Sequence, residues 1–210
     1  MRLLFCVLAL AVLAISGAAD RVDDLIFDML YSGNPETRLE AAETLGRYGG
    51  PRVVEPMIVA LNDTWDSSMG CHNDNVRKTT MFGRDVTYIE TCGQIRERAA
   101  ITLGESNDSR AVEPLIVALY NNKGAWKIEL AIVEALGKLN DTRAIDSLID
   151  AFETDGMFGA RDGLVRAATV RVLANFSDPR TIETLTYIAK NDEDPDVRAV
   201  AVVALEKLES

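Results

Sequence analysis

Cys71, His72 and Cys92 are the residues of this 210-residue chain with the most chemistry to offer. They stand at the two ends of "GCHNDNVRKTTMFGRDVTYIETCG", Gly70–Gly93. Thiols at such positions either bond to each other or join an imidazole and a carboxylate around a metal. A metal site here would use Cys71, His72, Cys92 and a carboxylate such as Asp74. Adjacent Cys-His is poor ligand spacing, and no second close pair exists. "NDTWDSSMGCHNDN" is rich in oxygen ligands, but their spacing fits no standard calcium loop. A disulfide needs only the two thiols. Cys6, the third cysteine, lies in a segment that export would remove. In an oxidising compartment Cys71–Cys92 is therefore the expected bond, with no metal and no cofactor. The sequence carries no nucleophile–base set, no Gly-rich phosphate loop and no Cys-x-x-Cys, and so no catalytic residues are assigned.

The cysteines bracket an anomaly. "KTTMF" and "VTYIE" are β-branched and aromatic and are separated by "GRD", which predicts a short β-hairpin. An isolated hairpin is marginal in water. A clasp closing such a loop is worth about 3 kcal/mol in the chain-entropy model. The hairpin belongs to an insertion over residues 63–94 that also carries Trp65, Phe82 and Tyr88 as aromatic contacts for a partner.

The first residues form a separate object. "MRLLFCVLALAVLAISGAAD" has one early base, an apolar run from Leu3 to Ile15, and small residues before Asp20. This is the layout of a signal peptide over residues 1–19, too short to span a bilayer comfortably, with an uncleaved membrane anchor as the alternative. The mature domain, 20–210, is then expected outside the cytoplasm: secreted, periplasmic or on the cell surface.

Around the insertion the sequence repeats. "RLEAAETLGRYGGPRVVEPMIVAL", "RERAAITLGESNDSRAVEPLIVAL", "ELAIVEALGKLNDTRAIDSLIDAF" and "RAATVRVLANFSDPRTIETLTYIA" align, and "VRAVAVVALEKLES" adds a half-copy. Leu45, Leu103, Leu136, Leu173 and Leu205 mark the units. Each unit predicts a helix with small and apolar residues at helical spacing, a turn, and a second helix that buries Val112, Leu115, Ile116 and Leu119 in the second copy. Asp108, Asp141 and Asp178 stand where N-caps belong, and Pro51 and Pro179 take first helical positions. A further helix around Asp23–Tyr31 caps the row. Neither helix of a unit can bury its apolar face alone, so the copies must stack into a right-handed α-solenoid.

The run of Arg, two alanines, Leu-Gly, Asp-Pro-Arg, Ala-Val and Pro-Leu-Ile-x-Ala-Leu resembles the HEAT-like repeats of the phycobilisome lyase type. The resemblance covers the chain from about Pro35 onward, apart from the insertion. It implies the fold and leaves function open, because members include bilin lyase subunits, deoxyhypusine hydroxylase and many scaffolds. Deoxyhypusine hydroxylase implies a di-iron site built from several His-Glu pairs. This chain has His72 alone, followed by Asn73, so that activity is excluded. A lyase-like enzyme or enzyme subunit remains the alternative, although bilin attachment is an intracellular task and the leader argues for export.

Arg52, Arg110, Arg143 and Arg180 recur at the starts of the second helices. Glu55, Glu113, Asp146 and Glu183 follow one turn later, on the same face. Stacking lines them into ladders, read either as structural ion pairs within and between repeats or as a charged recognition surface. Arg38, Arg96, Arg166 and Arg198 form a similar series on the first helices, which Glu129 breaks. One turn beyond the acids stand Val59, Val117, Asp150 and Tyr187, where variable residues at a fixed geometric position would write an interaction surface. Tyr120 and Trp126 lie nearby as aromatic anchors, with ordinary surface variation and inter-repeat packing of Trp126 as the other reading. Asn62, Asn107, Asn140 and Asn175 begin Asn-x-Ser/Thr sequons, readable as turn chemistry or as glycan acceptors. The net charge of −11 repels phosphate backbones and anionic lipid, so neither nucleic acid nor a specific membrane lipid is an expected partner. The reading that unites these features is an exported, non-catalytic scaffold that binds another protein.

Overall fold

The computed structural model describes residues 21–62, 79–81, 84–86, 88–153 and 163–209. α1 covers residues 21–31. Four helical hairpins follow: α2 (Pro35–Tyr48) with α3 (Pro51–Leu61), α4 (Tyr88–Glu105) with α5 (Val112–Asn121), α6 (Trp126–Leu139) with α7 (Ala144–Glu153), and α8 (Gly163–Leu173) with α9 (Pro179–Asn191). α10 (Pro195–Glu209) repeats the first-helix pattern. Tertiary contacts run between neighbours along the row, which makes the chain an α-solenoid.

Local chemistry sets the boundaries. Proline opens α2, α3, α9 and α10, where its missing N–H costs nothing. The side chains of Asn34 and Asp178 accept the backbone N–H groups of Glu36 and Arg180. Asn140 ends α6 at φ 48, in the left-handed region that asparagine tolerates. Leu45, Leu103, Leu136 and Leu173 are fully buried, while Leu205 of the half-copy and Ile116 are only half-buried.

The two rows of helices pack differently. α2, α4, α6, α8 and α10 lie in intimate contact down the row, whereas α3, α5, α7 and α9 meet one another sparsely. In the first three units the glycine of the Leu-Gly pair allows this approach. A Cβ on Gly104 would lie 2.6 Å from the Ala135 Cα, and one on Gly137 would lie 2.6 Å from a Val172 methyl. Only glycine permits that approach. The closely packed row of first helices is termed the inner row and the row of second helices the outer row.

The insertion departs from expectation. β1 (Thr79–Met81) and β2 (Arg84–Val86) pair antiparallel, with Thr79 opposite Val86 and Met81 opposite Arg84. The second strand was expected over "VTYIE", yet α4 begins at Tyr88. The helix thus takes up residues 88–94 of the expected insertion, and Cys92 stands inside α4. Strand propensity lost to helical register, because Tyr88, Thr91 and Cys92 stand at helical spacing before Ile95, a buried core residue. Cys71, His72, Asp74, Trp65, Phe82 and residues 1–20 lie outside the described residues. Among those described, no helix is long and apolar enough to cross a membrane.

Candidate interaction surface

The start of each second helix carries an arginine with two kinds of partner. Arg110 Nε and Nη2 donate to Asp108, the cap two residues earlier, at 2.7–3.1 Å, and Nη1 donates to Glu55 of the preceding unit at 2.9 Å. Arg143 repeats this with Asp141, and its Nη1 lies 3.6 Å from Glu113. Arg180 repeats it with Asp178 and with Asp146. Arg52 has no acidic cap and reaches back to Asp23 of α1 at 2.7 Å. Each arginine thus bridges one unit to the one before it.

The spacing Arg-x-x-acid had suggested pairs within a helix as well. Among the described residues none forms, because the caps turn the guanidinium groups of Arg110, Arg143 and Arg180 toward the preceding unit, and Arg52 is engaged by Asp23. Glu183, the last acid of the series, has no ion-pair partner among the described residues. Sequence reasoning missed the double duty of Asp108, Asp141 and Asp178, although the signal was present as Asp-x-Arg in three copies. The hydrogen bonds from Arg180 hold the Asp178 carboxyl down at about 2. Those from Arg110 and Arg143 likewise lower Asp108 and Asp141 below the usual carboxylate range.

One turn beyond the acids the outer row presents a stripe. Val59 is 57 % exposed, Val117 52 % and Tyr187 63 %, and Asp150 is also exposed. Of the aromatic candidates, Trp126 is exposed beneath the Lys127 ammonium, 5.8 Å from its ring. Tyr120 is half-buried and packs against the core. Tyr88 opens α4.

The first-helix arginines form the opposite kind of series. Arg38 is buried and its Nε donates to the Met29 carbonyl at 2.7 Å. Arg96 donates to Asn122 at the end of α5. Arg166 is buried and donates to Asp192 at 3.3 Å, while Arg198 reaches the Asp192 carbonyl at 2.6 Å. They fasten helix ends and loops rather than present charge. Glu129 takes their position in the third unit, fully buried, and accepts the Gly124 N–H at 2.9 Å. The inner row also holds a groove of about 540 Å³ between α8 and α10, floored by Ala174, Val200, Val203 and Ala204. Its sequence signal was Val203, which stands where the other copies have Arg171, Glu134, Ile101 and Glu43.

Among the described residues no group of His, Cys, Asp and Glu side chains is placed to hold a metal ion. What the surface offers is a wall stiffened by ion pairs, with a regular row of exposed side chains.

The family model for HEAT repeats matches residues 90–161 and 154–210, more than half of the chain. The model for the PBS lyase HEAT-like repeat matches residues 37–63. The stretch between the matches falls within the insertion expected over residues 63–94. A comparison with curated proteins found no match.

Proposed function

The chain belongs to the HEAT-repeat family, and from that premise we propose that it is an exported, non-catalytic scaffold that binds another protein. The observation that carries this reading is the outer stripe. Val59, Val117 and Tyr187 are large, apolar or aromatic and more than half exposed, each at the same point of its unit. A solenoid repeats such a position at fixed intervals, which suits an extended partner. The insertion adds a second contact region, with Trp65 and Phe82 as its aromatic residues and Tyr88 following at the start of α4. In this reading the leader over residues 1–19 is removed at Asp20, and Cys71 and Cys92 bond in the oxidising compartment beyond.

The partner is captured with the mature chain, and Val117→Glu with Tyr187→Glu is the decisive variant. Capture falls sharply while helical content is retained; undiminished capture removes the outer row from the function. Replacing residues 70–87 by a short linker tests the insertion in the same way and leaves α4 whole. The PBS lyase HEAT-like match over residues 37–63 favours one other reading, a lyase-like enzyme or enzyme subunit. The two separate on the captured partner, which a scaffold releases unchanged and a lyase alters covalently.

A further inference from the structure

We propose that Asn107 and Asn140 are acceptors for N-linked glycan, that Asn62 and Asn175 are not, and that the sugar lies along one edge of the solenoid. The inference rests on the export reading, because the transfer occurs outside the cytoplasm. The four sequons are Asn62-Asp63-Thr64, Asn107-Asp108-Ser109, Asn140-Asp141-Thr142 and Asn175-Phe176-Ser177.

In the turns at 107 and 140 the fold uses two of the three residues. Asn107 and Asn140 take left-handed conformations, φ 51 and 48, where asparagine is well tolerated. Asp108 and Asp141 cap the next helix and grip its arginine. The third residue has no such task. Among the described residues neither the Ser109 nor the Thr142 hydroxyl makes a hydrogen bond, and both residues are exposed. The first unit makes the corresponding turn with Gly49, Gly50 and Pro51 and has no hydroxyl there. The hydroxyl is what folding leaves unexplained, and it is what sequon recognition requires.

The other two sites differ. Asn62 Nδ2, the atom that would receive the sugar, donates to the Ile58 carbonyl at 3.1 Å. Asn175 Oδ1 accepts from Lys207 at 3.3 Å, and Phe176 in the middle of its sequon is 4 % exposed, which pins the tripeptide to the core. The side chains of Asn107 and Asn140 are exposed and make no hydrogen bond among the described residues.

The transfer forms a C–N bond between the asparagine Nδ2 and the anomeric carbon of a lipid-pyrophosphate-linked oligosaccharide. The anomeric C–O bond breaks, the lipid pyrophosphate leaves with the electron pair, and the amide gives up one proton. Both turns join a first helix to a second, so both lie on the same edge. The end of α3 and the start of α4 lie on the opposite edge, which glycan at 107 and 140 therefore leaves open.

The test places the full chain behind a foreign cleavable leader in a secretory cell that carries an oligosaccharyltransferase. Entry is thereby assured whether or not residues 1–19 act as a leader, so failure of the export reading cannot imitate failure here. Peptide mapping with and without a peptide N-glycosidase, which leaves aspartate at each released site, is expected to show sugar at Asn107 and Asn140 only. Asn107→Asp, which tolerates the same backbone, and Ser109→Ala should each abolish the first glycan with the melting temperature unchanged; Asn140→Asp and Thr142→Ala should do the same at the second. Secreted chain with bare Asn107 and Asn140 overturns the proposal, as does sugar confined to Asn62 or Asn175.

Discussion

The inner and outer rows of this solenoid are built from the same repeat and held by different forces. Along the inner row, first helices touch through glycine and alanine at van der Waals contact, and the arginines are buried or half-buried against loops. Along the outer row, second helices stand apart and exposed arginines span the gap to acids of the preceding unit. Contact packing has no tolerance for an added atom. Exposed ion pairs in water tolerate rearrangement and contribute little each. The inner row should therefore set stability, and the outer row should set register and present the surface.

The largest effect is expected from the buried charge of the inner row. Arg166→Met leaves the Asp192 carboxylate buried without its guanidinium and should cost about 3–5 kcal/mol in urea unfolding. A loss no larger than that of an outer-row arginine would erase the distinction between the rows.

Next come the glycines, which divide the inner row further. At Gly104 the obstacle to a Cβ is the Ala135 backbone, which cannot turn aside. Gly104→Ala should lose about 1–3 kcal/mol despite the better helix propensity of alanine. At Gly137 the nearest atoms are the Val172 methyls at 2.6 and 3.2 Å, side chain rather than backbone, so Gly137→Ala should lose somewhat less. Equal losses would mean that the helices can separate at both places.

A smaller effect is expected from the ladder. Arg143→Ala should lower the melting temperature only slightly, and by less still at about 1 M salt, where the Debye length falls to about 3 Å. A large loss that salt does not reduce would place the outer row among the determinants of stability.

The smallest effect is that of pH. Hydrogen bonds from Arg180 hold the Asp178 carboxyl down at about 2 in the folded chain, below its ordinary value of 3.8. A depressed carboxylate contributes stability that is fully present above the unfolded value and lost as pH falls through the folded one. Melting temperature should thus decline between about pH 4 and pH 2, and Asp178→Asn should flatten part of that decline. An unchanged acid limb in this variant would remove Asp178 from the linkage.

The repeat, the helix pairs and the core leucines Leu45, Leu103, Leu136 and Leu173 were legible in the chain alone, because each depends on local periodicity and turn chemistry that recur in every copy. Asp108, Asp141, Asp178, Pro51 and Pro179 could be assigned as helix-starting residues for the same reason, since a cap acts within three residues of its own position. The family followed from the same residues. The relations between units were settled by packing. Arg110 pairs with Glu55 rather than Glu113, because stacking brings the preceding helix nearer than the next turn. Tyr120 is drawn toward the core while Val117 stays out, a choice set by which face meets the neighbouring helix. Tyr88 joins α4, against its strand propensity, since helical register continues back from the buried Ile95. A sequence states what each residue prefers next to its chain neighbours, and distance across the stack is settled by packing among residues far apart in the chain.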